Sequence, residues 1–386
     1  MQSSRSAPRV AIACGGTGGH LFPGLAIAEE LLRRDVAVSL LISPKEVDQQ
    51  AVRSVHGMDV NTLPAVGLTR GGTLGFVRGF FESYRQCRKL FGNKRPDAVL
   101  AMGGFTSAPP ILVGRRCGAK TFLHDSNTIP GKANRWLAHV VDAAYVYFHE
   151  TTGRLNCLQM EVTGMPVRSG IMLPADPACA RMALGLDANR PVLLVTGGSQ
   201  GASGLNDLML QVLPLLSARL PDLQYLHLTG SADLDKVQAA YVSARRRAVV
   251  RPFLTEMELA LGAATAAVSR SGASSLAELA ATRVPAFLVP YPHAADDHQY
   301  YNAMAFVETG AAWMTRQSGA SAPLLADQLA QLIVDEKIRA EMKIALSRWH
   351  FPDAAQTIAR KVLTLSGFAE LAALELANEA LQPLPQ

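Results

Sequence analysis

The sequence predicts an α/β protein made of two similar parallel-sheet domains that face each other across a cleft. Its 386 residues are too many for one ordinary core and suit two domains of roughly 150 to 200 residues each. Each half opens with a short apolar strand, at residues 9–14 and 192–196, which runs into a glycine-rich loop and then a helix. Strands and helices alternate after both openings, which is typical of βαβ units in a parallel sheet.

The boundary between the two domains is expected at the turn-rich segment GMPVR, residues 164–168, which follows a strand. We therefore assign residues 1–165 to an N-terminal domain and residues 166–351 to a C-terminal domain. The helices from about residue 352 to residue 386 are rich in Ala and Leu. We expect them to cross back and pack on the N-terminal domain.

Composition excludes several classes of protein. Hydrophobic residues make up 49% of the chain, with 31 Gly and 22 Pro, which excludes a disordered chain or a repeat array. The five cysteines are scattered, without the spacing of a metal site or a disulfide framework, and this indicates a reducing compartment. The first residues lack a signal-peptide core and no apolar run reaches the roughly 18 residues that span a bilayer, so a cytoplasmic protein is expected. The net charge of +5 is modest, and no nucleic-acid partner is predicted.

The first glycine loop, GGTGGH at residues 15–20, lies between a strand and the start of a helix. Glycines let backbone N–H groups approach a phosphate, and the helix dipole favours negative charge there, so the loop predicts an anion site rather than a plain turn. A dinucleotide site is disfavoured, because Leu21 stands where G-x-G-x-x-G needs its third glycine. His20 is a candidate general base or phosphate partner, or a residue that only caps its turn.

A basic and apolar helix is predicted from residue 73 to about residue 91. The surrounding window, residues 68–95, carries seven basic residues and one acid. A pattern typical of an ordinary core helix with a solvated basic face is formed by Leu74, Val77, Phe81 and Tyr84 at helical spacing, with Phe76 and Phe80 widening the apolar side. The alternative is a patch that rests on an anionic membrane surface, with apolar side chains inserted between the lipid headgroups.

Two further strands of the first half end in polar or glycine-rich segments. The strand at residues 97–102 runs into Gly103-Gly104, and the strand at residues 119–124 ends in the segment HDSN, residues 124–127. Because the carboxyl ends of parallel strands lie at one edge of a sheet, these segments predict a single ligand crevice.

The stretch from residue 266 to residue 302 reads as a βαβα unit whose polar residues follow its strands. Its first helix carries Glu278, which can accept both hydroxyls of a ribose while the first-turn N–H groups bind phosphate; an exposed or capping glutamate is the alternative. The loop after the second strand holds His293, His298 and two aspartates, but their spacing matches no tetrahedral site, so no metal is predicted.

Several motifs, taken together and in order, carry a family resemblance. They are GGTGGHLFPGLAIAEEL, MGGF, HDSN, GMPVR, TGGSQGASGLN, SRSGASSLAELAATRVPAFLVPYP and DDHQYYNA. From about residue 10 to residue 358 the chain resembles the MurG family, N-acetylglucosaminyltransferases that complete the lipid-linked peptidoglycan precursor. The resemblance implies a GT-B fold of two Rossmann-like domains. It also implies that the C-terminal domain holds the donor UDP-GlcNAc and the N-terminal domain the acceptor, a prenyl-diphosphate-linked MurNAc-pentapeptide.

The same resemblance implies roles for individual residues. His20 and Asp125 are the two candidates for general base, Glu278 for the ribose contact and Gln299 for the contact with the GlcNAc hydroxyls. The further positions implied in substrate binding are Thr17, Gly18, Gly19, Asn127, Arg168, Ser199 (diphosphate), Leu254 (uracil, through its backbone), and Ala273, Ser274, Ser275 and Leu276 (backbone around the α-phosphate and ribose). No cofactor is implied. The implied reaction is an inverting displacement of UDP by the 4-hydroxyl of MurNAc.

The resemblance also bears on location and on the acceptor. It places the window 68–95 where the family is thought to meet the membrane, and so favours a peripheral protein on the cytoplasmic face of the inner membrane. The chain has Asp125-Ser126 where the family commonly has Glu-Gln, Phe105 where it has Tyr, and Met165 where it has Asn. Because these departures lie on the acceptor side, another UDP-sugar enzyme of this fold, with a different lipid acceptor or UDP-GlcNAc epimerase activity, is the alternative. A non-catalytic nucleotide-sugar-binding or membrane scaffold protein is a third possibility.

Overall fold

The protein contains two parallel β-sheets, each covered by helices. The structure is a computed structural model that describes residues 7–16, 18–45, 48–49, 52, 56–65, 68–172, 175–198 and 201–373. The strands of the first sheet are β1 (Arg9–Ala13), β2 (Ala37–Ile42), β3 (Asp59–Thr62), β4 (Ala98–Ala101), β5 (Lys120–Asp125), β6 (Ala143–Val146) and β7 (Met160–Val162). They lie in the order β3-β2-β1-β4-β5-β6-β7, and all neighbouring pairs are parallel.

The second sheet repeats this order without the seventh strand. Its strands are β8 (Val192–Thr196), β9 (Gln224–Leu228), β10 (Ala248–Arg251), β11 (Ala266–Ser269), β12 (Ala286–Leu288) and β13 (Trp313–Met314). They lie in the order β10-β9-β8-β11-β12-β13, again with all pairs parallel. Fully buried runs such as VLLVT in β8 explain the arrangement, because a parallel strand covered on both faces needs apolar side chains on both. The predicted fold class is confirmed.

Helices connect the strands of both sheets. In the first half they are α1 (Gly18–Leu32), α2 (Leu68–Asn93), α3 (Ala108–Arg116) and α4 (Lys132–Leu137), with a 3-10 helix at His149–Arg154. In the second half they are α5 (Ser169–Met172), α6 (Pro177–Ala183), α7 (Ser203–Arg219), α8 (Leu234–Ser243), α9 (Met257–Ala263), α10 (Ala273–Thr282), α11 (His298–Glu308), α12 (Ala322–Val334), α13 (Glu336–Ser347), α14 (Ala354–Leu365) and α15 (Ala369–Ala373), with 3-10 helices at Ser231–Asp233 and Ala295–Asp297.

Each sheet has a point where the strand order reverses, and these points position the site. The reversal lies between β1 and β4 in the first sheet and between β8 and β11 in the second. The connections from these strands leave in opposite directions and open a crevice at the carboxyl ends of the strands, where open α/β sheets bind ligands. The segments after these four strands include the glycine loops and the turn that opens α10.

The chain returns to the first domain near its C-terminus. Helix α14 packs on α1, and its residues Ile358, Ala359, Val362 and Leu363 are buried in the same apolar cluster as Val10 of β1. Full burial of a Val, Leu or Ile side chain contributes about 1.5 to 3 kcal/mol each, so this contact fixes α14 on the first domain. Residues 374–386, which we also expected to pack there, lie outside the described residues.

Helix α2 does not bury the face that its apolar spacing predicts. Gly79, Ser83, Cys87 and Phe91 form the buried face, four residues apart, against α3. The core-helix interpretation is wrong for Leu74, Val77 and Phe81, which are 87%, 48% and 61% exposed, whereas Tyr84 packs against the apolar cluster that contains Cys87. We call Leu74, Val77 and Phe81 the exposed apolar face of α2. No helix among the described residues is long and apolar enough to cross a membrane.

Candidate functional site

A cleft of about 500 Å³ lies between the two sheets, and both halves of the chain line it. It contains eleven of the predicted site residues: Gly18, Gly19, His20, Asp125, Asn127, Arg168, Ala273, Ser274, Ser275, Glu278 and Gln299. Residues predicted from segments nearly 300 positions apart thus meet in one place. The predicted crevice exists, and it is shared by the two domains.

Of the predicted site residues that the structure describes, Leu254 and Leu276 are not among those that line the cleft. Thr17 and Ser199 lie outside the described residues. Leu254 and Leu276 are 8% and 0% exposed, and their side chains belong to the apolar core of the C-terminal domain. The roles implied for Leu254 and Leu276 involve their backbones, so those roles stay predictions.

His20 lies in the first turn of α1, against the glycine turn that follows β4. Gly103 and Gly104 have φ values of 109° and 80°, and a Cβ atom built on Gly103 would lie 3.0 Å from Nε2 of His20. This position requires glycine for both its conformation and its closeness to the imidazole. Loss of water in this setting lowers the pKa of His20 to about 4, so its ring is neutral at pH 7. A neutral imidazole can accept a proton.

Asp125 ends β5 and is almost fully buried beneath the loop that follows. Its carboxylate accepts hydrogen bonds from the backbone N–H groups of Asn127 (3.0 Å) and Gly131 (3.1 Å) and from Nδ2 of Asn134 (2.9 Å). Burial raises the pKa of Asp125 to about 6, against the opposing effect of these donors. Three donors on one carboxylate make Asp125 the anchor of residues 126–131.

Glu278 faces the cleft from the second turn of α10. Its Oε1 lies 3.7 Å from Nη2 of Arg168, and the Arg168 guanidinium lies 4.4 Å from the centre of the Phe22 ring in α1. Burial raises the pKa of Glu278 to about 7, while Arg168 favours the charged form. The Glu278 carboxylate therefore lies beside Arg168, which contacts both domains. Because its pKa is about 7, Glu278 changes between the protonated and ionised forms near neutral pH.

Arg270 is a site residue that the sequence interpretation missed. It lines the cleft directly after β11, is 4% exposed, and donates to the carbonyls of Val289 (2.9 Å) and Pro290 (3.1 Å) and to Oε1 of Gln317 (2.6 Å). Burial lowers its pKa to about 10, and it stays charged at pH 7. Because these three acceptors are neutral, they do not cancel the positive charge of the Arg270 guanidinium. That charge therefore favours an anion in the cleft. The signal in the sequence that could have identified Arg270 is an arginine directly after a buried strand and two residues before Gly272.

Gln299 opens α11 and is oriented by two backbone contacts. Its Oε1 accepts from the backbone N–H of Tyr291 (3.0 Å), and its carbonyl accepts from Oγ of Ser271 (2.7 Å). The first contact turns the side-chain amide in a fixed direction at the cleft. The sequence predicted Gln299 in the site, but neither partner.

The departures from the family pattern have different surroundings. Phe105 lies in the glycine turn, with Nζ of Lys45 5.3 Å from the centre of its ring. Met165 is 2% exposed and packs in the apolar core of the C-terminal domain. Ser126 accepts a hydrogen bond from Nδ2 of Asn127 (3.3 Å). At position 165, methionine suits the apolar environment, whereas the asparagine that is common in the family would need hydrogen-bond partners there.

Among the described residues, no group of three or more His, Cys, Asp or Glu side chains could hold a metal ion. Asp296 forms an ion pair with Arg135 (2.6 Å) and Asp297 with Arg316 (3.1 Å), while Nδ1 of His298 bonds to the carbonyl of Ala295.

Comparisons with known proteins identify the family. A relative from Pelobacter propionicus is 36% identical over 377 residues, covering 92% of this chain and 99% of the relative; it is named UDP-N-acetylglucosamine–N-acetylmuramyl-(pentapeptide) pyrophosphoryl-undecaprenol N-acetylglucosamine transferase. A relative from Synechococcus sp. with the same name is 36% identical, covering 92% of this chain and 95% of the relative.

Solved structures show the same fold. The crystal structure of Acinetobacter baumannii MurG is similar with a TM-score of 0.71 and 25% identity, covering 93% of this chain and 100% of that one. A UDP-N-acetylglucosamine 2-epimerase has a TM-score of 0.68 at 14% identity, covering 95% of this chain and 98% of that one, and so shares the fold alone. Residues 10–146 match the glycosyltransferase family 28 N-terminal domain, and residues 192–358 match the family 28 C-terminal domain. The chain therefore belongs to glycosyltransferase family 28.

Proposed function

We propose that this protein transfers GlcNAc from UDP-GlcNAc to the 4-hydroxyl of prenyl-diphosphate-linked MurNAc-pentapeptide, with inversion, in peptidoglycan synthesis. This is the step from lipid I to lipid II, on which cell wall growth, cell shape and division depend. One observation carries the proposal: a single cleft joins the predicted donor residues of the C-terminal domain to the two candidate general bases, His20 and Asp125, of the N-terminal domain. The names of relatives that match over nearly their whole length support the choice of substrates.

The donor binds mainly to the C-terminal domain in this proposal. Glu278 accepts the ribose hydroxyls, the backbone of residues 273–276 surrounds the ribose and α-phosphate, and Gln299 contacts the GlcNAc hydroxyls. Arg168 lies beside Glu278 at the domain junction. Ser199 contacts the diphosphate, and the backbone of Leu254 contacts uracil.

The acceptor binds on the N-terminal side, at the first glycine loop and the loop after β5. Thr17, Gly18, Gly19 and Asn127 contribute further donor-site or cleft contacts from the same domain, and His20 takes the proton of the attacking hydroxyl. His20 suits this role better than Asp125, because Asp125 already accepts three hydrogen bonds that hold its loop.

Fixed dipoles and one cation stabilise the departing UDP. The first-turn N–H groups of α10 lie at the cleft and favour a phosphate, since they lack intrahelical partners and sit at the positive end of the helix dipole. The buried charge of Arg270 acts in the same direction. Such groups stabilise the transition state when they are aimed at developing charge before the reaction begins.

The exposed apolar face of α2 is proposed to rest on an anionic membrane surface. Arg78, Arg85, Arg88 and Lys89 are exposed on the same helix. Apolar insertion and basic contacts reinforce each other there, because each Lys or Arg near an anionic surface contributes about 1 kcal/mol. The scattered cysteines suit a reducing compartment, so the proposed location is the cytoplasmic face of the inner membrane.

Replacing Leu74 and Phe81 with serine is expected to reduce binding to liposomes that contain anionic lipid by at least about tenfold, because two exposed apolar anchors are lost. Co-sedimentation at fixed lipid concentration measures this. Leu158→Ser is the matched control, since Leu158 is fully exposed in the same domain outside this helix. Equal binding by the double variant and the control would return α2 to a role without lipid contact.

The proposed reaction is tested with purified protein, UDP-GlcNAc and prenyl-diphosphate-MurNAc-pentapeptide. We expect a β-linked disaccharide product and released UDP, both identified by mass spectrometry. Formation of UDP-ManNAc without acceptor would replace the proposal with an epimerase. Binding of UDP-GlcNAc without turnover under any of these conditions would replace it with a non-catalytic nucleotide-sugar-binding protein.

A further inference from the structure

Asn302 on α11 is fully buried at the junction of the two domains, and its side chain bonds to both. Its Oδ1 accepts from the backbone N–H (2.9 Å) and the hydroxyl (3.0 Å) of Thr128. Its Nδ2 donates to Oδ1 of Asn127 (3.0 Å) and to the carbonyl of Ser271 (3.2 Å). One amide thus joins the acceptor-side loop to the turn that opens α10.

The loop that Asn302 holds is fixed on its other sides as well. The carbonyl of Thr128 accepts from Nη1 of Arg154 (3.0 Å), and the carbonyl of Asn127 accepts from the hydroxyl of Thr151 (2.7 Å). Asp125 anchors the same loop from below through the N–H of Asn127. The loop therefore has few remaining degrees of freedom, and Asn302 supplies its direct hydrogen bonds to the C-terminal domain among the described residues.

The C-terminal side of this contact leads directly to donor-facing groups. Ser271, which accepts from Asn302, also donates from its hydroxyl to the carbonyl of Gln299. Gln299 lines the cleft one turn before Asn302 on α11, and Ala273 begins the helix that faces the diphosphate. Asn302 itself does not line the cleft.

We infer that Asn302 is a positioning residue: it sets the distance and orientation between the acceptor loop at Asn127–Thr128 and the donor-facing ends of α10 and α11. This inference rests on the proposed function, since only a reaction between two substrates held by different domains needs that distance fixed. Attack by a hydroxyl on an anomeric carbon depends steeply on alignment, and a misplacement of about 1 Å can lower the rate by about 10²-fold.

A second contact between the domains provides the matched control. Arg135 and Asp296 form an ion pair at 2.6 Å, but their side chains are 42% and 40% exposed. Exposed pairs of this kind contribute little, because water screens the charges. Arg135→Gln is therefore expected to leave kcat within about twofold of the wild type.

Asn302→Leu keeps the approximate volume and removes all four hydrogen bonds. We expect kcat for disaccharide formation to fall about 10- to 100-fold, while the calorimetric Kd for UDP-GlcNAc changes by less than about threefold, because the donor-binding groups stay in their own domain. A Kd that worsens as much as kcat falls would overturn the positioning role and make Asn302 part of the donor site. Unchanged kcat in a folded variant would overturn it as well.

Thr128→Val gives a milder test that does not depend on the fold surviving the loss of a buried amide. It removes only the hydroxyl donor, so a smaller loss of kcat is expected, and the loss should not add to that of Asn302→Leu, because both changes break the same contact. Additive losses from the two changes would overturn the inference. If Asn302→Leu does not fold, Asn302→Ala takes its place in the cycle, since it also removes the acceptor for Thr128 and the donor to Asn127 and Ser271.

Hydrogen exchange separates the failure of this inference from the failure of the proposed function. The N–H of Thr128 donates to Asn302, so peptides that cover residues 126–131 should exchange faster in Asn302→Leu than in the wild type and in Arg135→Gln. This measurement needs no activity. If exchange is faster in Asn302→Leu but the wild type makes no disaccharide, the contact of Asn302 with the loop is supported and the proposed reaction is rejected. If exchange is unchanged in Asn302→Leu, the role of the contact is rejected.

Discussion

Substitution of His20 with alanine is expected to lower kcat for GlcNAc transfer by about 10²- to 10⁴-fold, the range for loss of a general base. The ring lies in the cleft against Gly103 and Gly104, and its pKa is lowered to about 4, so it is neutral and able to accept a proton at pH 7. Steady-state kinetics at saturating UDP-GlcNAc and acceptor measure the effect. His20→Asn is the matched control for packing, because it keeps a polar side chain of similar reach without the basic nitrogen.

The pH profile distinguishes His20 from Asp125. A base with a pKa of about 4 must lose its proton to act, so kcat falls only as the pH approaches 4 from above and is flat from about pH 5.5 upward. A base with the pKa of Asp125, about 6, would give an acid limb about two pH units higher. Asp125→Asn should reduce thermal stability through its loop and leave the limb of the remaining activity in place. If His20→Ala keeps more than about a tenth of kcat and the limb lies near 6, Asp125 is the base.

The fold and most of the cleft were predictable because their signals are local. The end of a strand is marked by an apolar run followed by glycines and then by helical spacing, and these signals lie within about ten residues of one another. Parallel pairing then brings the strand ends to one edge of the sheet. Glu278 and His20 were found in this way, each near a helix start after a strand.

The contacts between the domains were not predictable, because they depend on pairs far apart in the chain. Thr128 and Asn302 are 174 positions apart, and nothing near either residue indicates the other. Arg270 shows the same limit, since its neutral partners come from residues 289, 290 and 317. The burial of the apolar face of α2 was wrongly predicted for a different reason. Apolar spacing identifies the two faces of a helix but not which face packs on the domain, and here the face with Cys87 and Phe91 is the buried one.

Affinity for UDP-GlcNAc is expected to fall as the pH decreases through 7, with Glu278 as the cause. Burial raises the pKa of this carboxyl to about 7, so it is mostly ionised at pH 8.5 and mostly protonated at pH 5.5. Ribose hydroxyls donate hydrogen bonds, and the ionised carboxylate accepts them more strongly than the acid does. Binding therefore favours the charged form, and the Kd measured by calorimetry should rise as protons are added.

Two substitutions test that assignment. At pH 8.5, Glu278→Ala should weaken binding by roughly 1 to 3 kcal/mol, the cost of losing hydrogen bonds to a charged group. Glu278→Gln keeps the shape but does not titrate, so its Kd should be weaker than that of the wild type at pH 8.5 and nearly equal to it at pH 5.5. Near pH 7 the wild type should also release protons on binding, because the ligand lowers the pKa of the carboxyl in the complex. Proton release is read from calorimetry in buffers of different ionisation enthalpy. A wild-type Kd that is independent of pH and equal to that of Glu278→Gln would remove Glu278 from the ribose contact, whatever the outcome for His20.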